Sequence, residues 1–114
     1  LSDPLGSVFA ALSDPTRRVM LEQLVADGSI SVPELAGRLP ISRQAVAKHL
    51  ASLDNAGLVE RMPGEGREVR YRLRPRALSN ASAWLQRTEG AWDTRIDRLK
   101  KALENPSRPK IGGD

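Results

Sequence analysis

Between positions 42 and 51 the sequence sets out hydrogen-bond donors and small side chains at helical spacing: Ser42, Arg43, Gln44, Ala47, Lys48 and Ala51. On a helix, Val46, Leu50 and Leu53 fall on one face and these residues fall on the opposite one. Arginine and lysine can donate to guanine, glutamine can pair with adenine, and alanines let a backbone enter a groove closely. No acidic residue occurs from Leu35 through Leu53, so nothing in this stretch repels a polyanion. A solvated polar face is the commoner origin of such a stripe. The acid-free run, and the basic segment that follows it, favour contact with DNA bases instead.

That basic segment runs from Arg61 to Arg76. It holds six arginines (Arg61, Arg67, Arg70, Arg72, Arg74, Arg76) against Glu65 and Glu68, which accounts for the whole net charge of +4. Arg70 and Arg72 alternate with Val69, Tyr71 and Leu73, so a strand there has one basic and one apolar face. Arg67 stands beside the turn Pro63-Gly64-Glu65-Gly66, within reach of a minor groove or of phosphates. An edge strand charged only against aggregation does not need every outward charge to be positive. Phosphate contact by Arg67, Arg70 and Arg72 is therefore expected. Thr16 and Arg17 open an earlier helix, whose N-terminus attracts anions. They are added to the expected phosphate contacts, although Arg17 serves equally well as a pin between helices.

Other chemistry is sparse. With no cysteine, disulfides, thiolate metal sites and thiol redox sensing are excluded. His49 is the single histidine, and one imidazole does not make a metal site. No nucleophile–base pair and no phosphate-cradling glycine loop is present, so neither enzymatic activity nor a cofactor is expected. No apolar run approaches the roughly 20 residues needed to span a bilayer, and no secretory signal opens the chain. A cytoplasmic location is expected.

The elements that would position these residues are marked by local signals. Ser2-Asp3-Pro4 and Ser13-Asp14-Pro15 each offer an aspartate cap followed by proline in the first turn. They predict helices over about 4–12 and 15–26, the second with Met20, Leu21, Leu24 and Val25 inward and Gly28 as its stop. Ser29-Ile30 is too short for more than a single strand turn. Ser31-Val32-Pro33-Glu34 is a capping box opening a third helix to about Leu39, and Ser42 caps a fourth to about Ala56. Strands are expected over 58–62 and 69–73, then a long helix from about Pro75 to Glu104. The fold class is mainly α with a small β-hairpin, a winged helix-turn-helix with a long C-terminal dimerisation helix. One domain over 1–104 and a disordered tail over 105–114 are the expected organisation.

Taken in order, Asp14-Pro15-Thr16-Arg17-Arg18, Glu34-Leu35-Ala36, the run from Ser42 to Leu50, Ala56-Gly57-Leu58-Val59 and the run from Gly66 to Leu73 resemble the ArsR family of bacterial repressors. The resemblance spans about Phe9 to Leu73. It implies a homodimer joined by the first and last helices, with two recognition helices in successive major grooves of double-stranded operator DNA. It also implies repression, often of the regulator's own operon. Metal sensors of this family commonly carry thiolates where Ser31 and Pro33 stand here, or carboxylates and histidines on the last helix, which here has no histidine. Metal sensing is therefore not expected. An effector, small molecule or protein, is left open, as is activation in place of repression.

Leu78, Ala81, Leu85, Thr88, Trp92, Leu99 and Leu103 recur at three- and four-residue spacing along the last helix, with Ile96 beside the seam. A stripe of about 45 Å at the usual rise is too long for so small a domain to cover, so it calls for a second copy. Leu5, Phe9, Leu78, Leu85, Trp92, Ile96 and Leu99 are the expected dimer contacts. Trp84 and Trp92 serve as interface anchors on this reading, with the lining of a ligand pocket as the minority alternative. The competing function is a winged helix used as a protein-interaction module, its basic hairpin binding an acidic partner.

Overall fold

The computed structural model describes residues 3–104. They form two compact units, one reaching to Ala81 and one beginning at Ser82. The expected tail over 105–114 lies outside the described residues.

In the first unit, α1 (Pro4–Leu12) starts where the Asp3 carboxylate accepts the Gly6 N–H at 3.0 Å. α2 (Pro15–Asp27) starts where Asp14 accepts the amides of Thr16 at 2.7 Å and Arg17 at 3.2 Å. Gly28, at φ 86°, ends it in a conformation that glycine adopts freely. α2 buries Met20, Leu21 and Leu24, but Val25, expected inward, is 62% exposed. Helical geometry puts Val25 about 40° outside the arc that those three residues define.

β1 (Ile30–Ser31) leads into α3 (Val32–Ala36), and the capping box forms as expected between Ser31 and Glu34. α3 stops short of Leu39. The Arg38 N–H donates to the Leu35 carbonyl, a tightened last turn, and Pro40 has no N–H to continue the ladder. α4 (Arg43–Asn55) begins at the Ser42 cap, whose Oγ accepts the Ala45 N–H at 3.1 Å.

β2 (Val59–Pro63) and β3 (Val69–Leu73) make the hairpin, with Glu60 opposite Arg72 and Met62 opposite Arg70. β1 adds to the other side of β3, pairing Ile30 with Tyr71 and Ser31 with Arg70, so the antiparallel sheet runs β1-β3-β2. The core is sealed by Met20, Leu24, Ile30, Leu35, Val46, Leu50, Leu53, Leu58 and Val59, and α1, α2, α3, α4 and all three strands contribute to it. This is a winged helix-turn-helix: α3 and α4 pack on each other across a short turn, and the hairpin is the wing.

α5 (Ser79–Glu104) begins later than Pro75, because Arg76 takes a positive φ of 62° that no α-helix accommodates. Ala81, in its first turn, is buried in the first unit. From Ser82 onward α5 is a single long helix, and Leu85, Trp92 and Leu99 along it are 51%, 59% and 61% exposed. No described helix is long and apolar enough to cross a membrane.

Candidate nucleic-acid interface

α4 separates its two faces cleanly. Val46, Leu50 and Leu53 are wholly buried, while Ser42, Arg43, Gln44, Ala47, Lys48 and Ala51 are all exposed. The side chains of Arg43, Gln44 and Lys48 make no hydrogen bond or ion pair with another described residue, so their donors are open to solvent. Ser42 keeps only its O–H for an outside acceptor, since its Oγ already receives the Ala45 amide. His49, next to this face, is half-buried.

The turn before α4 is tied to α2 by Arg38. Its guanidinium donates to Gln23 Oε1 at 2.8 Å and to Asp27 Oδ2 at 2.6 Å. The Arg38 hydrogen bond holds the Asp27 carboxyl below its usual range, and Asp27 in turn raises the guanidinium. Sequence reasoning missed Arg38. Standing with Arg43 in an acid-free run, it looks like one more DNA contact until its distant partners Gln23 and Asp27 are known.

The wing residues part company. Arg67 is exposed, immediately after Gly66 at φ 59°, and has no partner among the described residues. Arg72 is exposed but lies across the hairpin from Glu60, its Nε–H donating to Glu60 Oε2 at 2.6 Å. Arg70 turns its guanidinium inward. Nε–H donates to Ser29 Oγ at 2.9 Å, Nη2–H to the Ser29 carbonyl at 2.7 Å, and Nη1–H to Glu34 at 2.8 Å and Glu68 at 3.2 Å. Glu68 and then Glu34 raise the Arg70 guanidinium, while the Ser31 amide and hydroxyl, with Arg70, hold the Glu34 carboxyl low.

At the start of α2, Thr16 is half-buried and its amide is taken by Asp14. Arg17 is used as a pin: Nε–H donates to the Ala11 carbonyl at 2.8 Å and Nη2–H to the Ala10 carbonyl at 3.3 Å. The Asp14 carboxyl is lowered first by the Arg17 amide, then by the Thr16 amide and the Arg17 charge, against a desolvation penalty. Arg17 and Arg70, both expected at phosphates, thus carry their charges into the fold. Arg43, Gln44, Lys48, Arg67 and Arg72 stand at its surface.

Of the expected dimer contacts, Leu5 and Phe9 lean half-buried on the core of the first unit. Leu78 is exposed and lines an open apolar groove of about 420 Å³ with Leu12, Leu21, Val25 and Leu73. Leu85, Trp92, Ile96 and Leu99 are exposed along α5. At the position where family sensors carry a thiolate, the Ser31 hydroxyl is engaged with Glu34, and no group of three metal-ligating side chains gathers among the described residues.

Known proteins resemble this chain in sequence and fold. Residues 12–61 match a family model described as a helix-turn-helix domain. The chain is 46% identical over 71 residues to the HTH-type transcriptional regulator Rv2034 of Mycobacterium tuberculosis, covering 62% of this chain and 64% of that protein. The chain therefore spans just under two thirds of that relative. It is 36% identical over 107 residues to the arsenic resistance transcriptional regulator ArsR1 of Pseudomonas putida, covering 90% of this chain and 82% of the relative. Among solved structures, an ArsR-like transcriptional regulator from Rhodococcus sp. RHA1 superposes with a TM-score of 0.74 at 46% identity, covering 86% of this chain and 91% of that one. These relatives are regulators and not enzymes, and with its helix-turn-helix, its wing and its donor-lined α4 the chain belongs to the ArsR family of DNA-binding transcription regulators.

Proposed function

We propose that this chain is a dimeric, sequence-specific transcriptional repressor, cytoplasmic and not responsive to metals. One observation carries the reading: Arg43, Gln44 and Lys48 lie on a helix face bare of internal partners, which is the state a base-reading surface needs before DNA arrives. In this reading α4 enters the major groove, and Arg67, with Arg72 and the Thr16 end of α2, meets phosphates. The apolar stripe from Leu85 to Leu103 supports pairing of α5 with a second copy, because an exposed face of that length is costly in water. Two copies about a two-fold axis would place two α4 helices one DNA turn apart.

The test is footprinting on DNA upstream of the protein's own gene, followed by salt titration on the protected duplex. Protection of an inverted repeat, with affinity falling steeply as salt rises, is the expected result. Binding without preference for any duplex, alongside tight binding to an acidic protein, would favour the interaction-module alternative. Zinc, copper or arsenite at stoichiometric amounts should leave the complex intact, since Ser31 caps α3 and Pro33 offers no donor. Release by a metal, reversed by a chelator, would refute that part of the reading.

A further inference from the structure

We infer that Arg70 is a positioning residue of the DNA-binding surface: it locks the wing onto the start of the helix-turn-helix, and it does not contact phosphate. The inference rests on reading α4 and the wing as a DNA interface. Every nitrogen of the Arg70 guanidinium is already engaged, on Ser29 Oγ, the Ser29 carbonyl, Glu34 and Glu68, at 2.7–3.2 Å. The side chain is 24% exposed. Its partners belong to three places: the loop after α2, the first turn of α3 and the wing itself.

Glu34 is the hinge of this lock. The same Oε1 that receives Arg70 also receives the Ser31 amide at 3.3 Å and the Ser31 hydroxyl at 3.1 Å, closing the capping box that starts α3. Ser31 stands opposite Arg70 in the β1–β3 register. Strand, loop and helix cap are thus joined through one planar fork, a geometry that lysine cannot reproduce with a single ammonium. Turning Arg70 toward a phosphate would forfeit these bonds and leave the carboxylates of Glu34 and Glu68 facing a polyanion. Arg67, three residues earlier, has no such ties and carries no such cost.

A phosphate contact needs only the charge, whereas a lock needs the fork, so Arg70→Lys separates the two. Salt titrations of operator binding would compare wild type, Arg70→Lys, Arg70→Gln, Glu34→Gln and Arg67→Gln, well below each melting transition. Amide hydrogen exchange at Ile30 and Tyr71 would be followed in parallel. Arg70→Lys and Glu34→Gln should each weaken binding roughly tenfold at every salt concentration with the slope unchanged, because a wing freed of its lock must be ordered again on DNA. Combined, they should cost little more than either alone, and both should speed exchange across β1–β3. Arg67→Gln should make the salt slope shallower by about one unit and leave exchange alone. A role in stability alone would lower the melting temperature of Arg70→Lys yet leave the affinity of the folded protein unchanged, and that result overturns the proposal. So does Arg70→Lys binding like wild type while Arg70→Gln flattens the slope. Failure of the wild type to bind any duplex would instead overturn the interface reading, and with it the role given to Arg70.

Discussion

α4 and α5 are both amphipathic helices, and they differ in whether the apolar stripe is covered. α4 seals its apolar stripe completely, with Val46, Leu50 and Leu53 at zero exposure, and offers solvent polar side chains and alanines. α5 leaves its stripe uncovered: Leu85, Trp92, Ile96, Leu99 and Leu103 stand exposed along its length. One helix has its hydrophobic requirement met within its own fold and is left with polar groups to satisfy. The other is left with apolar area to cover. The two open faces therefore ask for partners of opposite chemistry, and the proposed DNA-binding dimer would supply one to each.

The largest effect is expected at α5. Replacing Leu85 and Leu99 with Asp should convert a sedimenting dimer to monomer. Operator affinity should then fall to the non-specific level, on the order of 10³-fold weaker. A wild type that sediments as a monomer at micromolar concentration would break the comparison outright. On the sealed side of α4, Leu50→Ala should cost about 2–5 kcal/mol in denaturant unfolding, because nothing around a fully buried leucine can collapse cheaply. On its open side, Gln44→Ala or Arg43→Ala should cost about 1–3 kcal/mol on the operator and almost nothing on scrambled duplex. Should those changes weaken both duplexes equally, α4 would be an electrostatic surface and not a reading one.

The smallest effect expected is on acid stability. Folding lowers the carboxyls of Glu34 and Asp14, so their contribution is complete above their unfolded values, about pH 4. It is lost as pH falls through the folded ones. Glu34→Gln should flatten the acid limb of a melting-temperature profile in that window and leave the neutral plateau little changed in shape. A profile that kept its full acid slope would show that Glu34 does not contribute to it.

What the sequence made legible is what is encoded locally. The caps at Asp3, Asp14, Ser31 and Ser42 were readable because each bonds an amide two or three residues away. The two faces of α4 followed from a period. The arginines defeated that kind of reading, because their partners are remote: Arg38 finds Asp27 across 11 residues, and Arg70 finds Glu34 across 36. In the sequence, Arg67 and Arg70 are alike, two cations of one basic segment; only the fold ties one of them to Ser29, Glu34 and Glu68. The start of α5 was misplaced for a related reason, since nothing in the composition around Pro75 announces a left-handed Arg76. Val25 shows the limit of counting apolar residues when the buried arc of a helix is narrower than its apolar content.

The sheet order also carries an expectation about the order of folding. Within the hairpin, β2 and β3 close across the short turn between Pro63 and Val69, whereas Arg70 must find Ser29 from 41 residues away. Closing the longer loop costs more chain entropy before any contact repays it. The hairpin and the α3–α4 pair are then expected to assemble first, with the Arg70 lock and the β1 edge arriving after the folding barrier. A late contact registers in the unfolding rate. In a chevron plot, Arg70→Lys should raise the unfolding limb and leave the refolding limb where it is, so that the wing's orientation is the last feature gained and the first one lost.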